Sequence, residues 1–355
     1  MKPRIVILSA FLSPFRSGAE ACAEEVPLRL TDRFDFTIVT ARLRRDLPVH
    51  SLLQETVPVI RVGIGHPIDK WLFPFLAPFA VRRLHPDVIH AVLESYAGMA
   101  LVFCRLLCPR ARTVLTCQST NTSLFLPFMH RCAHRVTVIS SVLVERAKSF
   151  GRSDVSLIPN GIPLQAIIHA CEAVAKVPSR ILFVGRLERV KGVDVLLASL
   201  AELKVKSEKW EARIVGDGSQ REALEDLAKQ LGIADRVTFA GFVSVPAVYD
   251  EFAAAEIFVG LSRSEALGNV FLEAQAAGCA VIAARVGGIP DVVTDGETGI
   301  LIAPDDPVSA ANVLGSLLKD RAAREKLAAN GTSHARKFDW SAIAERYAKV
   351  YEELL

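Results

Sequence analysis

Residues Leu261–Gly278 read LSRSEALGNVFLEAQAAG, with two glutamates, Glu265 and Glu273, on either side of a Gly-Asn-Val break. Before the break, the compact apolar run Ala253–Leu261 predicts a buried strand. After it, Phe271, Leu272 and Gln275 to Ala277 are helix formers, and the run stops at Gly278 as helices commonly do. The order is therefore strand, loop, helix, with Gly268, Asn269 and Val270 at the helix N-terminus. Free backbone N–H groups and the positive end of the helix dipole make an anion site there. Acids beside a phosphate-binding turn suggest a phosphorylated sugar donor. Glu265 would lie near the phosphates, and Glu273, one turn into the helix, would reach the hydroxyls of a nucleotide ribose. The bland alternative makes Glu265 an exposed loop acid and Glu273 a solvated helix acid.

The 355 residues are more than twice a common domain size of about 150, so two domains are expected. Hydrophobic residues make up 51% and charged residues 23%, which supports large cores and argues against long disorder. The seven cysteines are scattered without a C-x-x-C pair and read as small buried hydrophobes in a reducing cytosol. The short apolar run after the basic start reads as a first strand and not a signal peptide, and no run is long enough to span a membrane. The net charge of +3 hides an asymmetry: Lys and Arg exceed the acids by eight in residues 1–165, and the acids lead by five in the remainder. Different partners for the two halves follow, and nucleic acid is a poor fit because no helix carries a dense basic face.

Outward from the opening stretch, short apolar runs alternate with helical patterns along the whole chain. In the first half IVILS at residues 5–9, FTIVT at 36–40, Val57–Val62, Val88–His90, Thr113–Thr116 and Arg135–Ile139 read as strands. This is the pattern of an α/β chain with doubly wound, Rossmann-like parallel sheets, whose ligands bind beyond the carboxyl ends of the strands. Gly18, in the loop Ser13–Glu20 after the first strand, would allow a phosphate or sugar close to the backbone. His90 closes the strand DVIH and is an acceptor-side candidate, with a structural role as the alternative. The eight histidines form no metal-ligand spacing, so no metal is expected. Residues 66–86 crowd Trp71, Phe73, Phe75, Leu76 and Phe79 before Arg82 and Arg83, which suits an anionic membrane surface; a helix packed on the sheet or an acceptor lid is the alternative.

In the second half the strand RILFV (180–184) leads into GRLERVKG, which puts Arg186 and Lys191 around its end. Two cations there can neutralise a diphosphate without a metal. VGDG (215–218), Gly241-Phe242 after a strand, and VGGIPDVV (286–293) follow the same strand-to-glycine habit. This ordered set, with SEALGNVFLEAQAAG, resembles the retaining glycosyltransferases of family 4, closely over residues 178–310. The first half resembles them loosely, through SGAE, PDVIHAV, VIS and PNGI.

The resemblance implies a GT-B fold, two Rossmann-like domains facing across a cleft. Residues 1–170 would bind the acceptor, 171–338 would hold the nucleotide sugar, and a helix in 339–355 would return to the first domain. It further implies that Arg186 and Lys191 bind the donor diphosphate with the Leu267-Gly268-Asn269-Val270 backbone, that Glu265 contacts the transferred sugar and Glu273 the ribose, and that Gly241 and Phe242 lie by the base. Many similar members carry a histidine after the strand TVLT, where this chain has Cys117-Gln118-Ser119. Gln118 does not titrate, so it hydrogen-bonds a sugar hydroxyl, or His90 takes part, or the acceptor site is unusual. The expected activity is a metal-independent, retaining hexosyl transfer from a nucleotide diphosphate sugar to a glycan or lipid-linked hydroxyl, in cell-envelope or exopolysaccharide synthesis. A cytoplasmic location, peripheral on the inner membrane face, goes with it. A nucleotide-sugar epimerase and a non-catalytic nucleotide-sugar-binding subunit are the alternatives.

Overall fold

A computed structural model describes residues 2–15, 18–206 and 209–355. The chain divides into two compact units, Met1–Gly161 with Trp340–Leu355, and Ile162–Asp339. The strands of the first are β1 (Arg4–Leu8), β2 (Asp35–Ala41), β3 (His50–Leu53), β4 (Val57–Val62), β5 (Val88–Val92), β6 (Arg112–Cys117), β7 (Arg135–Val138) and β8 (Val155–Leu157). They form one sheet in the order β3-β4-β2-β1-β5-β6-β7-β8, parallel throughout except for β3 against β4. Every residue of β5 and all of β1 after Arg4 are buried. Parallel strands covered on both faces need continuous apolar runs, which is why these segments stand out in the sequence. The polar edge strand β3 has no such signal.

The last helix, Trp340–Glu352, completes this unit. Its Trp340, Ile343, Tyr347 and Tyr351 are buried in one core with Ile5, Ile7, Phe36 and Ile38. Tyr351 meets Phe34 and Phe36 edge-on, with ring centroids 5.6 and 6.2 Å away. Each ring buried in this way stabilises the fold by about 2–3 kcal/mol.

The first stretch of the first unit ends at Gly161, not near residue 170. The helix Leu164–Ala173 belongs to the second unit, because Ile162 already pairs with that unit's other end, its N–H donating to the Phe338 carbonyl at 2.8 Å.

The second unit has β9 (Arg180–Val184), β10 (Glu211–Val215), β11 (Val237–Gly241), β12 (Ile257–Gly260), β13 (Ala280–Ala284) and β14 (Ile300–Ile302), all parallel, in the order β11-β10-β9-β12-β13-β14. Ile181, Phe183, Leu200, Ile214, Val259 and Ile282 lie in its core. The run Ala253–Leu261 is not one strand. Ala253 and Ala254 finish the helix Val248–Ala254, as strong helix formers can, and the chain becomes extended at Ala255 before β12. In this sheet the strand order reverses between β9 and β12, and in the first sheet between β1 and β5. Such reversals are where open α/β sheets bind ligands.

Candidate functional site

At the reversal in the second unit the two central strands part. β9 and β12 pair only at Ile181 with Ile257 and Leu182 with Phe258, whereas β9 pairs with β10 along five residues. Beyond that separation, the loop after β9 makes a 3-10 turn at Arg189–Lys191 and ends at Gly192, whose φ is +66°. A Cβ on Gly192 would lie 1.9 Å from the Leu261 carbonyl oxygen, so only glycine lets this turn lie against the end of β12. The contact brings two of the sequence-predicted site residues together: Lys191 Nζ is 2.6 Å from Glu265 Oε2, both largely buried. Ser262 donates to the same carboxylate oxygen at 3.4 Å. Arg186 is exposed at the start of the same loop.

Arg263, which the sequence reading left without a role, ties the two loops. Its guanidinium donates to both Asp194 carboxylate oxygens at 2.9 and 2.8 Å, to Asp305 at 2.8 Å and to the Arg189 carbonyl at 2.5 Å. Burial pushes the Asp194 carboxyl up, but hydrogen bonding and charge from Arg263 outweigh it and hold it below the usual carboxylate range. The loop after β13 grips Glu265 from behind. Gly288 N–H donates to the Glu265 carbonyl at 3.1 Å, and a Cβ on Gly287, whose φ is +53°, would sit 2.0 Å from that oxygen. The VGG motif was legible in the sequence, but its purpose of fixing the backbone that carries Glu265 was not.

The helix Asn269–Ala276 starts as expected, with Gly268 as its N-cap and no side chain capping it. Its first N–H groups thus stay without a side-chain acceptor of their own. Leu267 is buried beneath this turn. Glu273 is half-buried, and burial pushes its carboxyl up to about 7, so it is not the freely solvated helix acid of the alternative reading. Gly241 ends β11, and Phe242 follows it 77% exposed, an uncovered ring at the carboxyl edge of the sheet.

The first-unit candidates fare differently. His90 does not close a strand: β5 continues two residues beyond it, and the ring is fully buried. Its Nδ1 is 2.7 Å from the Tyr351 hydroxyl and its Nε2 2.6 Å from Thr116 Oγ1, so both nitrogens are used within the core. Burial lowers its pKa to about 3. His90 is thus a structural residue that anchors the last helix, a correction to its acceptor-side reading. Gln118, just past β6, is buried; its N–H donates to Glu94 Oε2 at 2.8 Å, and its Oε1 accepts from Asn160 Nδ2 at 2.9 Å. Gln118 Nε2 and Asn160 Oδ1 remain buried without partners. Glu94 also forms a buried ion pair with Arg146. Gly18 lies exposed in a turn ahead of the helix Ala21–Arg29, and its neighbours 16 and 17 lie outside the described residues. Of the seven cysteines, Cys171 is exposed and Cys108 and Cys132 are half-buried, so only Cys22, Cys104, Cys117 and Cys279 are the buried hydrophobes expected.

Known families match both units. Residues 167–334 match Glycosyl transferases group 1, and residues 16–166 match Glycosyltransferase Family 4. The chain belongs to the family 4 glycosyltransferases. This glycosyltransferase-family chain is similar to the D-inositol 3-phosphate glycosyltransferase of Corynebacterium diphtheriae, 38% identical over 175 residues that take in 48% of this chain and 41% of that one. With the Streptomyces scabiei protein of the same name it is 40% identical over 179 residues, 48% and 40% of the two chains. It thus spans less than half the length of the curated relatives it matches. Its fold is that of GT-B glycosyltransferases. Sucrose-phosphate synthase from Thermosynechococcus elongatus superposes with a TM-score of 0.82 at 21% identity, over 99% of both chains. Anabaena HepE, solved in complex with UDP-glucose, gives 0.78 at 22%, again over 99% of both.

Proposed function

We propose that this chain transfers a sugar from a nucleoside diphosphate sugar to a hydroxyl acceptor, with retention and without a metal ion. The observation that carries this reading is the Lys191–Glu265 pair held beyond the parted ends of β9 and β12. A carboxylate close to a diphosphate repels it unless a cation stands between them, and Lys191, with Arg186 on the same loop, supplies that charge. The uncapped N-terminus at Gly268, Asn269 and Val270 adds backbone N–H donors to the diphosphate as it departs. Glu265 then orients the transferred sugar, and Glu273 accepts from the ribose hydroxyls. Gly241 and Phe242 lie by the base. In a retaining transfer the acceptor attacks on the face the diphosphate leaves, and a diphosphate oxygen takes the acceptor's proton. The bond from the anomeric carbon to the diphosphate breaks as that to the acceptor oxygen forms.

On the acceptor side, Gln118 Nε2 is a donor and Asn160 Oδ1 an acceptor left buried without partners. This favours Gln118 as a hydrogen-bonding group. The acceptor class this reading takes is a glycan or lipid-linked hydroxyl in envelope or exopolysaccharide assembly.

The test is a thermal-shift screen against UDP, GDP, ADP and their sugar conjugates in the presence of EDTA, followed by donor turnover with acceptor extracts. UDP comes first, because HepE was solved with UDP and with UDP-glucose. One nucleotide should raise the unfolding temperature by mass action, the folded state gaining about 2.7 kcal/mol at a hundredfold excess over Kd. No shift with any of them, with or without added Mg²⁺, would discard the donor site.

A further inference from the structure

The helix Asp69–Leu84 is apolar on two faces. Asp69, Phe73, Pro74, Ala77, Pro78 and Val81 are buried inward. Ile68, Trp71, Leu72, Phe75, Leu76 and Phe79 recur at i, i+3 and i+4 on the outer side and are exposed, Trp71 by 61% and Phe79 by 60%. The stripe continues into exposed Arg82 and Arg83. The helix Tyr96–Leu107 widens this surface. Tyr96 stacks edge-on against Trp71 at 5.0 Å, Phe103 lies 5.2 Å from Phe75, and Leu106 is 75% exposed. Between the two helices runs an apolar groove of about 250 Å³, lined by Phe75, Pro78, Phe79, Phe103, Leu106 and Leu107. Contiguous exposed apolar surface of this kind marks an interaction site.

Charge identifies the occupant. Residues 70–134 hold seven Lys and Arg and only two acids, Asp87 and Glu94. Glu94 is spent on Arg146, and Asp87 accepts the Arg4 N–H. Asp69, the one acid on either helix, is buried and accepts from the Gly65 and His66 N–H groups. Aromatic rings ending in arginines, with no exposed acid on the helices, match a membrane interface, where rings enter the acyl boundary and arginines meet anionic headgroups. Among the described residues no helix is long and apolar enough to cross a membrane, so contact would be peripheral.

We propose that the outer face of Asp69–Leu84, with Leu106 of the neighbouring helix, docks on an anionic lipid surface. The inference deepens the proposed function by naming where a lipid-borne acceptor is met, and rests on that reading only for this link. The experiment is co-sedimentation of the full chain with phosphatidylcholine vesicles, with and without a quarter phosphatidylglycerol. Pelleting with the anionic vesicles, weakened by salt, is expected. The triple change Trp71→Ser, Phe75→Ser, Phe79→Ser should lower partitioning about tenfold or more, and Arg82→Gln with Arg83→Gln about fivefold per charge. Partitioning that neither variant changes, equal binding to neutral vesicles, or self-association of the wild type that the serine variant abolishes would overturn the proposal. Nucleotide stabilisation is measured on the same samples. Unsubstituted chain that responds to a nucleotide but does not pellet with anionic vesicles overturns the docking surface alone, and unsubstituted chain that pellets but responds to no nucleotide overturns the transferase reading alone.

Discussion

On β5, beside β1, the first unit buries His90 between the Tyr351 hydroxyl and Thr116; beyond β9 and β12, the second unit leaves Lys191 and Glu265 facing each other past the last paired residues. Both places are reversals of strand order in a doubly wound sheet. In the first, the returning C-terminal helix fills the space, and His90 is satisfied by Tyr351 and Thr116. In the second, pairing stops early, so charged groups sit beyond the strand ends, held by backbone contacts that only glycine permits. Topology therefore offers a site in each sheet, and side-chain filling decides which one carries exchangeable charge.

The largest effect should come from the open site. Lys191→Ala removes the cation that shields Glu265, and donor turnover should fall about 10²–10³-fold, roughly 3–4 kcal/mol of transition-state stabilisation. Steady-state kinetics with a fixed donor check this; a loss below threefold would break the contrast between the units. The filled site should answer in stability instead. Tyr351→Phe leaves a nitrogen of buried His90 without its partner and should cost about 1–3 kcal/mol in urea unfolding while leaving nucleotide affinity unchanged. A changed nucleotide Kd with unchanged stability would reverse the assignment.

The smallest effect sharpens the comparison through pH. His90, at about 3 against an ordinary 6.5, binds fewer protons folded than unfolded. Its contribution is present above pH 6.5 and is lost as pH falls toward 3. Glu273, at about 7 against 4.5, binds more protons folded. Its contribution is present below pH 4.5 and is lost as pH rises through 7. Partial exposure discounts the latter to about 1–2 kcal/mol. Glu273→Gln should flatten the alkaline side of the unfolding-temperature profile between pH 5 and 8, and a profile unchanged by the substitution would show Glu273 to be solvated.

Much of the fold was legible because its strands are buried on both faces and so read as unbroken apolar runs. β3, β8 and β14 escaped because they are only three or four residues long, and β3 and β8 also mix polar with apolar positions. The split of Ala253–Leu261 into a helix end and a strand escaped because alanine suits both a helix and a buried run, and only the turn at Ala255 separates them. In the site, Glu265, Lys191 and the glycine break stood out as charge beside turn residues. Arg263 did not, since its partners Asp194 and Asp305 are 69 and 42 positions away.

The sequence by itself determined the alternation of strands and helices, the residue types gathered at the second unit's loops, and the aromatic stripe before Arg82, because periodicity and composition are local properties. Only the tertiary structure decided that Lys191 reaches Glu265, that Arg263 holds their two loops, and that His90 belongs to the core. Those outcomes depend on which strands become neighbours and where their pairing stops, and pairing between distant segments is fixed by packing the whole sheet.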